Sequence, residues 1–289
     1  MKPSLPFPPF DGDKKAGRLR RFDADNVFGQ TGQEGEAQEK QRKFISFRFL
    51  LPNIITVVAI ISGLSGVRMA IENRFEPAVI CLLLAAFLDG IDGRIARAIR
   101  GTSRFGEQLD SLADAINFGA VPALVVYIYI LDAMGRFGWL AALIYSTACC
   151  LRLARFNVMI DNSNSTPKWQ QNYFVGLPSP AGGCLLLLPV CLGFLGMPQT
   201  NVAALFFCFY TIFLALLMVC NLPVWNGKAI RGGLRRDIVI PALFFVVIYL
   251  ILLVSYMWET LAVTCFIYLA FLPLSAYSYY RLSKKQAGR

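Results

Sequence analysis

From residue 49 onward the chain is a succession of apolar runs of about 20 residues, each long enough to cross a hydrocarbon core of roughly 30 Å as a helix. Inside lipid every backbone N–H and C=O must find its partner within the protein, and a run of this length does so as an α-helix. Eight runs are read, near residues 49–70, 75–93, 108–131, 138–157, 178–197, 202–222, 238–257 and 259–280. The turn between the last two, at Trp258 and Glu259, is the tightest. Hydrophobic residues make up 56% of the chain and 23 of its residues are phenylalanine, well outside a soluble domain's usage. The expected fold is an all-α integral membrane protein, a polytopic bundle of about eight transmembrane helices.

Basic residues set the orientation. With the N-terminus inside, 25 of the 28 Lys and Arg residues fall on the inner side, and only Arg68, Arg74 and Arg136 fall outside. That bias predicts both termini at the cytoplasm. The net charge of +10 then reflects the bias and attraction to anionic lipid, and it gives no reason to expect nucleic acid. Residues 1–43 are polar, mixed in charge and without the apolar core of a cleavable signal, so they read as a flexible cytoplasmic tail. A membrane domain over 44–281 and a short basic tail over 282–289 complete the expected organisation.

Histidine is absent, and the eight cysteines form no CxxC pair. Histidine general bases and ordinary zinc sites are thereby excluded. The cysteines lie mainly within the apolar runs and read as small fillers.

One stretch breaks the apolar pattern: Asp89 to Asp114, DGIDGRIARAIRGTSRFGEQLDSLAD. On a helix, Asp89, Asp92, Gly93, Ala96 and Arg97 share an arc of about 140°. Gly106, Asp110 and Asp114 make a stripe of about 80° on the next helix, and Asn117 returns to within about 20° of Gly106. Carboxylates grouped this closely repel unless a cation offsets them, and hard oxygen ligands suit Mg²⁺, Mn²⁺ or Ca²⁺. The small residues on both arcs leave room for a large anion.

The spacing Asp89-x2-Asp92-Gly93-x2-Ala96-Arg97-x8-Gly106-x3-Asp110-x3-Asp114 resembles the signature of the CDP-alcohol phosphotransferases at every fixed position. That resemblance implies a six-helix core and transfer of a phosphatidyl-type group from a CDP-linked donor to an alcohol, with release of CMP. It implies that Asp89, Asp92 and Asp110 bind two divalent cations, Mg²⁺ or Mn²⁺. It makes Asp114 a further ligand and the candidate general base, and with no histidine a carboxylate is the natural proton acceptor. Gly93, Ala96 and Gly106 would leave space for the cytidine phosphates. Arg97 reads either as a phosphate contact or as an interfacial arginine reaching the headgroups. Asn53 and Thr56 read either as nucleotide contacts or as caps after Pro52. A homodimer in a bacterial inner membrane, with the site facing the cytoplasm, is what the family leads one to expect.

Two further segments, LRLARFNV (Leu151 to Val158) and FVGLPSPAGG (Phe174 to Gly183), resemble the serine-accepting, phosphatidylserine synthase branch of that family. The implied donor is CDP-diacylglycerol and the implied acceptor L-serine. Arginines at a membrane boundary are costly and so invite a purpose. Arg152 and Arg155 are candidates for binding the serine carboxylate or lipid phosphates, against a plain role in positive-inside anchoring. Asn117 is a third candidate on the acceptor side. Glycerol 3-phosphate, inositol phosphate and choline are the alternative acceptors. A cation-coupled transporter is the alternative class, but it would spread acids across several mid-membrane spans and repeat its halves. Here the acids sit within one short stretch.

Overall fold

The computed structural model describes residues 47–98, 104–161, 173–220, 223–225 and 236–287. The expected N-terminal tail, most of the polar 161–173 segment and most of the basic 226–237 loop lie outside these. Helix α1 (Phe47–Ile71) and helix α2 (Phe75–Ala98) form an antiparallel pair. Helix α3 (Arg104–Asp114) runs through a π-helical turn at Ala115–Ala120 into α4 (Val121–Tyr129). After a 3-10 turn at Leu131–Met134 comes α5 (Arg136–Asp161). A short strand β1 (Tyr173–Val175) leads into α6 (Ser179–Leu186) and α7 (Leu188–Phe194). Helix α8 (Asn201–Val219), strand β2 (Pro223–Trp225), α9 (Arg236–Ser255) and α10 (Met257–Ala287) follow, and β1 pairs antiparallel with β2.

Among the described residues, five helical stretches are long and apolar enough to span a bilayer: Leu50–Ile71, Phe105–Tyr129, Arg136–Val158, Asn201–Val219 and Met257–Leu274. The protein is therefore a polytopic helical membrane protein, and the eight expected runs resolve into unequal elements. Helix α2, at 24 residues about as long as α1, carries Glu76, Asp89 and Asp92, which dilute its apolar character. The run expected at 178–197 is broken at Leu187, between α6 and α7. The cause is Pro189, which has no N–H and whose ring opposes the carbonyl four residues earlier. That carbonyl, on Leu185, instead accepts a 2.9 Å hydrogen bond from Tyr210 Oη on α8, so the break leaves no orphaned acceptor. The turn between α9 and α10 falls at Tyr256, two residues before the expected boundary.

Small residues let helices approach one another. A methyl on Gly66 of α1 would strike Leu82 and the Ala78 carbonyl of α2, and Ser62 Oγ donates to the Cys81 carbonyl at 2.8 Å. This close packing with a hydroxyl contact is how helices associate where lipid removes the hydrophobic incentive. The core lies where α4, α5, α6 and α8 meet, around Tyr145, Val125, Leu185, Leu186, Leu214 and Met218. Tyr145 is wholly buried, and its hydroxyl donates to the Phe118 carbonyl at 3.1 Å, bracing the π turn from α5. Large apolar side chains such as Ile61, Phe206 and Phe245 point outward, as a lipid-facing surface requires.

Candidate active site

Asp89 and Asp92 lie one turn apart near the end of α2, while Asp110 and Asp114 lie one turn apart at the end of α3. The antiparallel course of the two helices turns both stripes inward. Carboxylate oxygens of Asp89, Asp92 and Asp110 come within 4.8 Å of one another. The carboxyl groups of Asp114 and Asp89 are within hydrogen-bonding reach of each other, so the fourth acid joins through the first.

Helix α1 supports this group from one side. Thr56 Oγ1 donates to Asp92 Oδ2 at 2.6 Å and also lies 3.1 Å from the Pro52 carbonyl. The shorter bond, to a charged acceptor, is the stronger. Both Asn53 and Thr56 lie inside α1, which begins at Phe47, so neither serves as its cap. Asp92 is only 2% exposed, and its Oδ1, like Asp89 Oδ1, is buried without a protein partner. Unpartnered carboxylate oxygens that converge on one point cost free energy unless a cation sits among them. These residues therefore fit a hard divalent ion with oxygen ligands.

On its other side the group is open. A methyl at Gly90 or Gly93 would meet no atom within 4 Å. Arg97 is exposed at the end of α2, its Nε donating to the Gly93 carbonyl at 2.8 Å. Gly106 is half-buried one turn before Asp110. The side chain of Ala96 lies outside the described residues.

The remaining candidates separate. Uniform helical steps put Asn117 on the Gly106 stripe, but the π turn at Ala115–Ala120 widens the winding just past Asp114. Asn117 is 4% exposed, its amide pressed against Gly63 of α1, and neither amide atom has a protein partner. Gly63 is seven residues beyond Thr56, so Asn117 sits about 10 Å further along α1 than the Thr56–Asp92 bond. Arg152, on α5, is buried at 8% exposure, bonds Ser179 and is within electrostatic reach of Asp114. Arg155, one turn on, donates from Nη1 to the Val219 carbonyl at 3.0 Å and lies against Gly176. It fastens α5 to the end of α8.

Three supporting residues were not singled out from sequence. Ser179 lies between Pro178 and Pro180 in the FVGLPSPAGG segment. Ser111, next to Asp110, accepts a 3.1 Å bond from Asn157 Nδ2 and thereby ties α3 to α5. Gly63 could have been suspected from its place beside Ser62 and Gly66.

Residues 49–223 match the family model for CDP-alcohol phosphatidyltransferase, and residues 237–273 match that for CDP-alcohol phosphatidyltransferase 2. The chain belongs to the CDP-alcohol phosphatidyltransferase family. Among its relatives is a Mycobacterium leprae protein named CDP-diacylglycerol–serine O-phosphatidyltransferase, 35% identical over 65% of this chain and 62% of its own length. A Helicobacter pylori protein of the same name is 34% identical over 66% of this chain and 78% of its own. A third, from Bacillus subtilis, is 34% identical over 48% of this chain and 74% of its own. The chain thus spans less than two thirds of the length of the mycobacterial relatives.

Proposed function

We propose that this protein transfers the phosphatidyl group of CDP-diacylglycerol to the hydroxyl of L-serine, giving phosphatidylserine and CMP. The observation that carries the reading is the convergence of Asp89, Asp92 and Asp110 oxygens within 4.8 Å beside the open glycine face of α2. The names of the relatives support serine as the acceptor.

Asp89, Asp92 and Asp110 would hold a pair of divalent cations, Mg²⁺ or Mn²⁺, with Asp114 at the edge of the group. Bound there, the cations supply the positive charge that offsets a pyrophosphate and polarises it toward attack. Thr56 holds Asp92 in place, and the space at Gly93 and Gly106 admits the cytidine phosphates, with Asn53 and Arg97 alongside. Asp114 accepts the proton of the serine hydroxyl as its oxygen forms a bond to the β-phosphorus. The bond from that phosphorus to the bridging oxygen breaks, and its electron pair leaves with CMP. Orientation in one pocket turns the encounter of two substrates into an attack within a complex. Arg152 or Arg155 binds the serine carboxylate. The protein acts as a homodimer in a bacterial inner membrane with the acids facing the cytoplasm, an orientation supported by the distribution of basic residues.

The test is purified protein in detergent with CDP-diacylglycerol, Mn²⁺ and, separately, L-serine, glycerol 3-phosphate, inositol phosphate and choline. Phosphatidylserine and CMP in equal amounts are expected. A different lipid product would overturn serine as acceptor, and no CMP with any acceptor would overturn the reaction.

A further inference from the structure

Among the described residues, the deepest cation beside the acids is Arg152. It is 8% exposed, its Nε is buried without a partner, and among the described residues it forms no ion pair. A guanidinium held that way is expensive unless an anion arrives to meet it. One end of it is already fixed. Ser179, 0% exposed at the start of α6, accepts a hydrogen bond from Arg152 Nη1, and Cys149 Sγ lies 3.6 Å from the same oxygen. Ser179 is itself placed by the turn before it. Gly176 has φ +84° and is hemmed by the Met218 and Cys220 carbonyls, a position closed to other side chains. The Leu177 N–H bonds the Leu217 carbonyl at 3.3 Å. Arg155 differs, because its Nη1 donates to the Val219 carbonyl at 3.0 Å, beside the Gly176 turn.

We propose that Arg152 alone reads the carboxylate of the acceptor amino acid, and that Ser179 is the positioning residue that fixes its guanidinium for this task. This rests on the phosphatidyl-transfer reading above. The donor's phosphates belong with Asp89, Asp92 and Asp110. The acceptor's hydroxyl must reach Asp114, and Arg152 is the buried cation within electrostatic reach of Asp114. In an amino alcohol such as serine the carboxylate and hydroxyl are only three bonds apart, so one molecule can meet both. Arg152 thereby discriminates against acceptors that share the hydroxyl and amine but lack the carboxylate.

The experiment compares the wild-type protein with Ser179→Ala, Ser179→Thr and Arg152→Lys. KM is measured for L-serine and for CDP-diacylglycerol, and ethanolamine is offered as a carboxylate-free acceptor. Ser179→Ala is expected to raise KM for L-serine roughly tenfold, the scale of one lost charge-assisted hydrogen bond, with KM for the donor unchanged. The L-serine over ethanolamine preference should fall with it. Ser179→Thr keeps the oxygen and should restore most of both, and Arg152→Lys should lose more than Ser179→Ala. A rise in donor KM instead would assign Arg152 to a donor phosphate and overturn the inference alone. Equal loss with both acceptors, or a fall in kcat with no change in KM, would make Ser179 structural and overturn it too. A wild-type protein that shows no turnover with L-serine would overturn the underlying reaction as well. If Ser179→Ala fails to yield folded protein, the Thr and Lys variants carry the same comparison.

Discussion

Thr56 and Asp92, 36 positions apart in sequence, are joined by a 2.6 Å hydrogen bond that locks α1 to the acidic end of α2. The bond fixes which oxygen of Asp92 faces the cluster and leaves Oδ1 for a ligand. Thr56→Val keeps the shape and removes the donor. Activity at limiting Mn²⁺ should fall by about 10–100-fold, the usual effect of losing a residue that orients a metal ligand. A titration of activity against Mn²⁺ should show much of it returning at higher metal concentration. A loss that no metal concentration reverses would mean that Thr56 serves the fold instead.

Asp114 stands apart from the other three acids because it reaches the cluster through Asp89 and also senses Arg152. Asp114→Asn should lower kcat by about 10²–10⁴, the contribution of a positioned general base. Mn²⁺ affinity, followed by titration calorimetry, should weaken much less than in Asp89→Asn. Equal loss of metal affinity in both variants would make Asp114 an essential ligand and leave the proton acceptor unassigned.

Gly63 and Asn117 hold α1 against the π turn with no space between them. Gly63→Ala should destabilise the protein by about 1–3 kcal/mol through overpacking. The drop in Tm in detergent should shrink when Asn117→Ala is added, because the small side chain vacates the contested volume. Additive effects would contradict the contact.

The sequence made the helices and the acids legible for separable reasons. Length and apolarity alone located α1, α5, α8 and α10, because lipid leaves few alternatives for a long apolar run. The 3.6-residue period brought the two acidic stripes together on paper, and the antiparallel α2–α3 course brings them together in space. Local competition was harder to read. The run at 178–197 reads as one span, yet Pro189 breaks it into α6 and α7, and the freed Leu185 carbonyl is taken by Tyr210 on α8. The π turn left no mark, since a single extra residue in the winding is decided by what packs on it, here Tyr145 and Gly63. Thr56 was visible as a residue of interest near Pro52. That it bonds Asp92 depends on the register between α1 and α2, where Gly66 packs against Leu82 and Ala78 of the other helix.

The most direct measurement follows transfer of label from L-serine into lipid by the purified protein, after chelation of metal and again after return of Mn²⁺ or Mg²⁺. Each labelled phosphatidylserine should be accompanied by one CMP, activity should vanish with chelator, and either divalent ion should restore it while Asp89→Asn stays inactive. Full transfer in the presence of chelator, or undiminished transfer by Asp89→Asn, would contradict a reaction built on the acidic cluster.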